Sequence, residues 1–352
     1  MIRGYQTEQV VARVFSRIMR CARLLAMLPL TSLLLSTATH AAEWEALPPL
    51  PAPNGGCLAG VQENKIVIVG GTHWEGGFKN WLKEVHVFDT ATRKWTTLEG
   101  AADAPLAYGL EVQARTPQRE GVPHFGFLGG TDGTQAVKAV GTVRNGKVQL
   151  APMPNLPAGL VLMAGGVFED QQLVVIAGGM DDPGNLAGVR RETHLIVRDV
   201  VKRAADYPGK PFAVAASAVV GDELLVFGGM NHDATTQMPV NTDAAYAYSP
   251  AKDAWRPLKP LVRPNRGLSA VVLNEQHVYI AGGYTDDFTA DAVVYDVKND
   301  TYTSAPPLPL AAMVKLIRCG DFIYCLGGED KKQSRTDKCF RISVGQLLMP
   351  SR

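Results

Sequence analysis

The sequence predicts an all-β protein: a six-bladed β-propeller whose ring is closed by strands from both chain ends sharing one blade. Three observations carry that expectation. Six short apolar strands each end in a glycine pair: KIVIVGG, HFGFLGG, LVVIAGG, LLVFGG, VYIAGG and IYCLGG, with the first glycines at Gly70, Gly129, Gly178, Gly228, Gly282 and Gly327. The pairs recur about every fifty residues, the length of a four-stranded blade. The series also closes on itself when the stretch after Gly327 is joined to the stretch from Ala42 to Gly70.

Each repeat has a similar order of signals. An apolar strand leads into a turn such as Glu63 and Asn64 or Gly221 and Asp222; the strand ending in the glycine pair, a variable loop and a third strand follow. The clearest third strands, VHVFDTATRKW, AYAYSPAKDAW and AVVYDVKNDTY, carry an aromatic followed about seven residues later by Trp95, Trp255 or Tyr302 on a fourth, outer strand. This pattern resembles the kelch repeat. Glycine lets the second strand turn where backbones crowd, and the aromatic pair packs between neighbouring blades. Residues 138–150 and 195–207 lack the aromatic pair, so the register there is weaker. The segment EWEALPPL, residues 43–50, reads as a fourth strand with no third strand before it, while the last repeat ends soon after CFRI. Either the Trp44 strand or the tail ISVGQLLMP completes the last blade.

Residues 1–41 read as a secretory signal ahead of a propeller spanning residues 42–352. Arg20 and Arg23 precede an apolar run over residues 24–35, and small residues follow at Thr39, Ala41 and Ala42. Pro29 and Thr31 interrupt the run, which is short for a membrane span, so cleavage and a periplasmic product are expected rather than anchoring. Translation from Met1 or from Met19 fits this layout. The 35 basic and 34 acidic side chains balance to a net charge of +1, which gives no field for holding a polyanion. Nucleic acid and anionic membranes are therefore not expected partners, and a small molecule is.

Four cysteines lie beyond the signal: Cys57, Cys319, Cys325 and Cys339. Their spacing matches no zinc pattern, so no metal is expected, and isolated cysteines in apolar strands are usually small core residues. Export permits disulfides, and pairing of Cys325 with Cys339 across strands two and three of the last blade is the alternative.

A propeller gathers its sites at one mouth of the central channel, where loops from every blade converge. Glu329 directly follows Gly327 and Gly328, and Arg335 comes six residues later in GGEDKKQSRTD. An ion pair that only fastens the loop would look the same as an acid or base with a cation set beside it. His73 follows a glycine pair, whereas Tyr108 and Arg266 open the first strands of their blades; all three are secondary candidates for contacting a substrate.

GGEDKKQSRTD, joined through cyclic closure to NGGCLAGVQENKIVIVGGTHWEGGFKNWLKEVHVFD, resembles the N-acetylneuraminate epimerases, the exported sialic acid mutarotases, in a cyclically permuted branch. LAYGLEV near Leu106 adds to the match. The resemblance implies a propeller that interconverts sugar anomers, with Glu329 and Arg335 at the active site. Exchange needs a proton taken from the anomeric hydroxyl and one given to the ring oxygen; a carboxylate with either water or a second donor suffices, without a cofactor. Arg335 is then expected to hold the acid sugar's carboxylate. HWEGGFKNW is shorter than the family's corresponding loop, which leaves the identity of the sugar open. The alternative is a non-catalytic kelch propeller that binds a carbohydrate or protein partner. Copper chemistry of the galactose oxidase kind lacks a suitable His and Tyr set in this chain.

Overall fold

The computed structural model describes residues 43–112, 125–144, 146–198 and 200–349; the expected signal segment lies outside them. Among these residues, six four-stranded antiparallel sheets form the blades of a propeller. The chain enters on β1 (Glu45–Leu47), then builds blade 1 from β2 (Leu58–Gln62), β3 (Lys65–Glu75), β4 (Phe78–Asp89) and β5 (Lys94–Leu98). Blade 2 comprises β6 (Leu110–Val112), β7 (Phe125–Leu128), β8 (Ala139–Arg144) and β9 (Lys147–Pro152). In blade 3 the strands are β10 (Ala164–Phe168), β11 (Leu173–Ala177), β12 (Thr193–Val197) and β13 (Val200–Arg203). The two repeats without an aromatic pair therefore still fold as complete blades.

Blade 4 begins with β14 (Ala216–Val220) and β15 (Glu223–Phe227). The hairpin β16 (Met230–Asp233) and β17 (Met238–Asn241) then rises before β18 (Ala245–Ser249) and β19 (Ala254–Pro257) finish the sheet. Blade 5 follows as β20 (Ser269–Val272), β21 (His277–Ala281), β22 (Ala292–Asp296) and β23 (Thr301–Ser304). Blade 6 has three strands from the C-terminal end, β24 (Met313–Cys319), β25 (Phe322–Glu329) and β26 (Thr336–Ser343), and its fourth is β1.

That shared blade closes the ring. β1 pairs with β26, with Glu45 opposite Arg341 and Leu47 opposite Cys339. The Glu45 carboxylate accepts from Arg341 Nε at 2.7 Å and from Arg93 Nη1 at 2.6 Å, so it ties the closure to blade 1. The competing tail turns away as a short helix, α1 (Val344–Leu347), capped by Ser343 and Gln346.

The glycine pairs join each blade to the next. The N–H of the second glycine donates to a carbonyl of the following blade's lead-in: Gly71 to Leu106, Gly130 to Leu160, Gly179 to Phe212, Gly229 to Asn265, Gly283 to Ala312 and Gly328 to Asn54. These bonds span 2.8–3.0 Å. At the first glycine of the last pair, φ is 52° and a Cβ would stand 2.5 Å from the Asn54 carbonyl oxygen. A side chain at Gly327 would force that lead-in away.

A second joint forms at the rim. The indole or phenol of the outer strand reaches the linker before its own blade: Trp44 to Pro307 O at 2.8 Å, Trp95 to Pro48 O at 3.1 Å, Trp255 to Ala205 O at 3.0 Å and Tyr302 to Lys259 O at 2.8 Å. Each of the last three stacks on its partner, with ring centroids 4.9 Å apart for Phe88 and Trp95, 5.0 Å for Tyr248 and Trp255, and 4.9 Å for Tyr295 and Tyr302.

The alternative Cys325–Cys339 pairing is not found, and the cysteines are core residues as expected. The register places Leu326 opposite Cys339 and Cys325 opposite Phe340, an offset of one residue that turns the two thiols to opposite faces of the blade. Cys325 packs with Tyr279 between blades 5 and 6, and Cys339 packs with Cys57 and Phe88 between blades 6 and 1. All four described cysteines are free and buried. Protein spanning residues 42–352, purified without reductant and then unfolded, should titrate four thiols per chain; two would restore the disulfide.

Candidate functional site

The inner strands β2, β6, β10, β14, β20 and β24 surround a central cavity of about 1370 Å³. Its wall includes the small residues Gly165, Gly166, Ala216, Ser217, Ser269 and Ala270. Part-way along, Lys315 pairs with Glu111, which also accepts from the backbone N–H of Ala59. Cys57 lies beside this pair, and burial pushes its thiol up to about 11, which leaves it protonated and unreactive at neutral pH.

The candidate site is at one mouth of this cavity. In five blades the residue three positions before the inner strand bridges the residue after the glycine pair: Gly55 with Thr72, Ala107 with Thr131, Val161 with Met180, Ala213 with Met230 and Arg266 with Tyr284. In blade 6 the same bridge joins Met313 to Glu329. The six positions that follow the glycine pairs are thus Thr72, Thr131, Met180, Met230, Tyr284 and Glu329. Only Glu329 is a carboxylic acid.

The residue after each bridge adopts a left-handed conformation in blades 1 to 5, with φ of 70° at Gly56, 60° at Tyr108, 56° at Leu162, 59° at Val214 and 67° at Gly267. Their backbones form a hydrogen-bonded arc around the mouth: Gly267 N–H to Val214 O, Val214 to Leu162, Leu162 to Tyr108 and Tyr108 to Gly56. Three non-glycine residues hold a costly φ there because this arc over-determines them. Blade 6 is one residue shorter at this point, since Met313 and Lys315 both pair with β25 across a register shift. It has no left-handed counterpart, and the arc stops on either side of Glu329.

Arg335 fills the interruption. Its side chain is only 3% exposed, against 32% for Glu329, and its Nη1 is 2.9 Å from Glu329 Oε2. Nη1 also donates to Ser334 O at 2.7 Å, Nε to Thr72 Oγ1 at 3.2 Å and Nη2 to the Tyr108 hydroxyl at 3.3 Å. Three of the guanidinium's five N–H groups are therefore hydrogen-bonded within the protein, and its charge is paired with Glu329. The guanidinium that the sequence marks as a candidate for a substrate carboxylate pairs with Glu329 and donates to Tyr108.

Two glycines form the floor of this cluster. A Cβ on Gly55 would stand 2.5 Å from Arg335 Cδ, and one on Gly56 would stand 2.2 Å from the Tyr108 ring. Thr72 Oγ1 donates its one proton to Gly55 O at 2.9 Å, so in its 3.2 Å contact with Tyr108 it accepts. Tyr108 is thus the donor to Thr72 and the acceptor from Arg335. Its ring meets Trp81 edge-on, with centroids 5.9 Å apart, and the Lys79 ammonium sits 4.8 Å above it. Burial alone would push the Tyr108 phenol up, but Lys79 and Arg335 outweigh it and hold the phenol below its ordinary value.

The sequence-selected residues separate clearly. Glu329, Arg335 and Tyr108 are brought together, and Arg266 lies near enough to feel the Glu329 charge. His73 is not part of the cluster: alternation along β3 turns it to the face opposite Thr72. Lys79 and Trp81 were not selected, because they come to Tyr108 through the β3–β4 hairpin and carry no local motif. Among the described residues, no group of three or more His, Cys, Asp or Glu side chains converges as a metal site.

Comparison with known proteins fits this arrangement. The Kelch motif matches residues 53–100, 214–262 and 265–309, which fall on blades 1, 4 and 5. Together with the six blades, this makes the chain a kelch-type β-propeller. Among curated proteins it is similar to the N-acetylneuraminate epimerase of Salmonella typhimurium LT2, 26% identical over 179 residues, covering 40% of this chain and 46% of that protein. A second N-acetylneuraminate epimerase, from Salmonella enteritidis PT4, is 25% identical over 177 residues with the same coverage. The match spans less than half the length of these relatives. Kelch-like protein 36 of Mus musculus is 29% identical over 125 residues, or 34% of this chain and 20% of that protein.

The Tyr108 environment has a measurable consequence. Burial pushes the phenols of Tyr207, Tyr248, Tyr279, Tyr295, Tyr302 and Tyr324 up, whereas Tyr108 is held down. In an ultraviolet titration, the wild-type minus Tyr108→Phe difference should ionise below pH 10, ahead of those six. A difference midpoint above 10 would mean that the two cations do not control the phenol.

Proposed function

We propose that this protein is an exported sugar mutarotase that interconverts anomers of N-acetylneuraminate or a related acidic sugar by general acid–base catalysis at Glu329. The observation that carries this reading is the Arg335 guanidinium, buried and shared between a half-exposed carboxylate and a phenol at the mouth of a large cavity. The named epimerase relatives support it, and so does the signal-like character of residues 1–41.

Each residue has a task in the exchange. Glu329 takes the proton of the anomeric hydroxyl while the Tyr108 hydroxyl, turning from Thr72, gives its one proton to the ring oxygen. The bond from the anomeric carbon to the ring oxygen breaks and a carbonyl forms. Rotation about the adjacent carbon–carbon bond presents the other carbonyl face, and reversal of both transfers closes the ring with neither proton lost. Arg335 contacts both proton carriers and holds them side by side. A phenol held below its ordinary value is a stronger acid near neutral pH, which suits the step at the ring oxygen. The small residues of the channel wall provide an apolar flank for the sugar ring.

A second reading, a propeller that binds a partner without chemistry, is favoured by the exposed apolar tips Phe78 on the β3–β4 hairpin and Met238 on the β16–β17 hairpin. One experiment separates the two. Freshly dissolved anomers of N-acetylneuraminate, other acidic sugars and neutral aldoses are followed by proton NMR with wild type and Glu329→Gln. Wild type should speed equilibration of at least one sugar, and the variant should lose about 10²- to 10⁴-fold of that rate. No acceleration across the panel rejects the mutarotase and leaves the binding propeller.

A further inference from the structure

The mouth holds three cations, Arg335, Arg266 and Lys79, around one carboxylate that is already paired. Arg335 is spent on Glu329, Thr72, Ser334 and Tyr108. Lys79 is held by two rings, 4.9 Å from the Trp81 centroid and 4.8 Å from that of Tyr108. Arg266 has no ion-pair partner among the described residues. Burial lowers its pKa, and the one carboxylate it feels is Glu329. A partly buried guanidinium without its own counter-ion is an unfavourable arrangement unless a ligand supplies the charge.

Its setting is built rather than loose. The guanidinium lies 4.5 Å over the Tyr284 ring, so one face is covered. Nη1 donates to Asn241 Oδ1 at 2.8 Å. Asn241 is itself fixed, because its Nδ2 donates to Tyr284 O at 2.8 Å and Thr285 O at 3.0 Å. The backbones of Arg266 and Tyr284 are mutually bonded, at 2.8 and 3.2 Å. Asn241 comes from the β16–β17 hairpin of blade 4 and Tyr284 from blade 5, so two blades hold one planar fork with its other N–H groups uncommitted. Gly267, next to Arg266, lines the same cavity as Glu329 and Tyr108.

We propose that Arg266, held on the Asn241 and Tyr284 ledge, is the receptor for a ligand carboxylate at this mouth. The guanidinium edge matches a carboxylate in plane and makes two parallel hydrogen bonds to it. The sugar then lies between Arg266 and the Glu329–Tyr108 pair, and acidity of the substrate is recognised on blades 4 and 5 while the proton chemistry stays on blades 2 and 6. This assignment rests on the mutarotase reading for the identity of the ligand, although not for the existence of an anion subsite.

The test uses N-acetylneuraminate and its neutral methyl ester, with binding measured by calorimetry and equilibration by NMR. Wild type should prefer the acid, and Arg266→Gln should lower affinity for the acid about 10- to 100-fold, the range for a hydrogen-bonded charge, with a far smaller loss for the ester. Ester binding reports that the variant is folded, and Arg266→Lys should recover part of the preference. Equal binding of acid and ester by wild type overturns the proposal, as does an acid preference that survives Arg266→Gln or is removed by Lys79→Gln. Arg266-dependent acid binding without faster equilibration keeps the subsite and rejects the mutarotase.

Discussion

The structure depends on one repeated hydrogen bond, from the second glycine of each pair to the carbonyl of the next blade's lead-in. It occurs at all six junctions, and the last, Gly328 to Asn54, joins the two ends of the described chain. Sheet faces packed through apolar side chains alone would leave the angle between blades loosely set. A backbone bond near the channel fixes it, and glycine is needed because the neighbouring carbonyl already occupies the space of a Cβ. The rim is held in a different way, by Trp44, Trp95, Trp255 and Tyr302 reaching linker carbonyls.

Given that regular ring, the functional asymmetry reduces to one missing residue. Five blades contribute a left-handed residue to the arc at the mouth, and the shortened lead-in of blade 6 contributes none. Into the interval come a glutamate, where other blades place Thr, Met or Tyr, and an arginine seated over Gly55. Tyr108 belongs to the arc itself, and its positive φ lays its ring over Gly56 and its hydroxyl against Arg335. The backbone irregularity and the chemical groups coincide in one place, which is why the site is read here rather than at the mid-channel Glu111–Lys315 pair.

Much of this was legible in the sequence. The glycine pairs gave the blade count, and EWEALPPL declared itself as an outer strand lacking a third strand, which the pairing of β1 with β26 bears out. Glu329 is marked in the sequence by its place directly after a glycine pair. Other features could not be read, because they depend on contacts between distant segments. The commitment of Arg335 required Thr72 and Tyr108 from blades 1 and 2, Lys79 arrives by a hairpin whose register the sequence leaves open, and Asn241 reaches Arg266 from a different blade. The one-residue offset between Cys325 and Cys339 is likewise a matter of register, set by the bulge between Leu326 and Gly328.

Under the proposed mechanism, a sugar is processed between Glu329 and Tyr108 at this mouth. A crystal structure of Glu329→Gln soaked with N-acetylneuraminate tests it most directly. The account predicts the sugar at the Arg335 end of the channel, its anomeric hydroxyl against residue 329 and its ring oxygen facing the Tyr108 hydroxyl. A sugar bound instead beside the mid-channel Glu111–Lys315 pair, or on the outside of the blades, would contradict it.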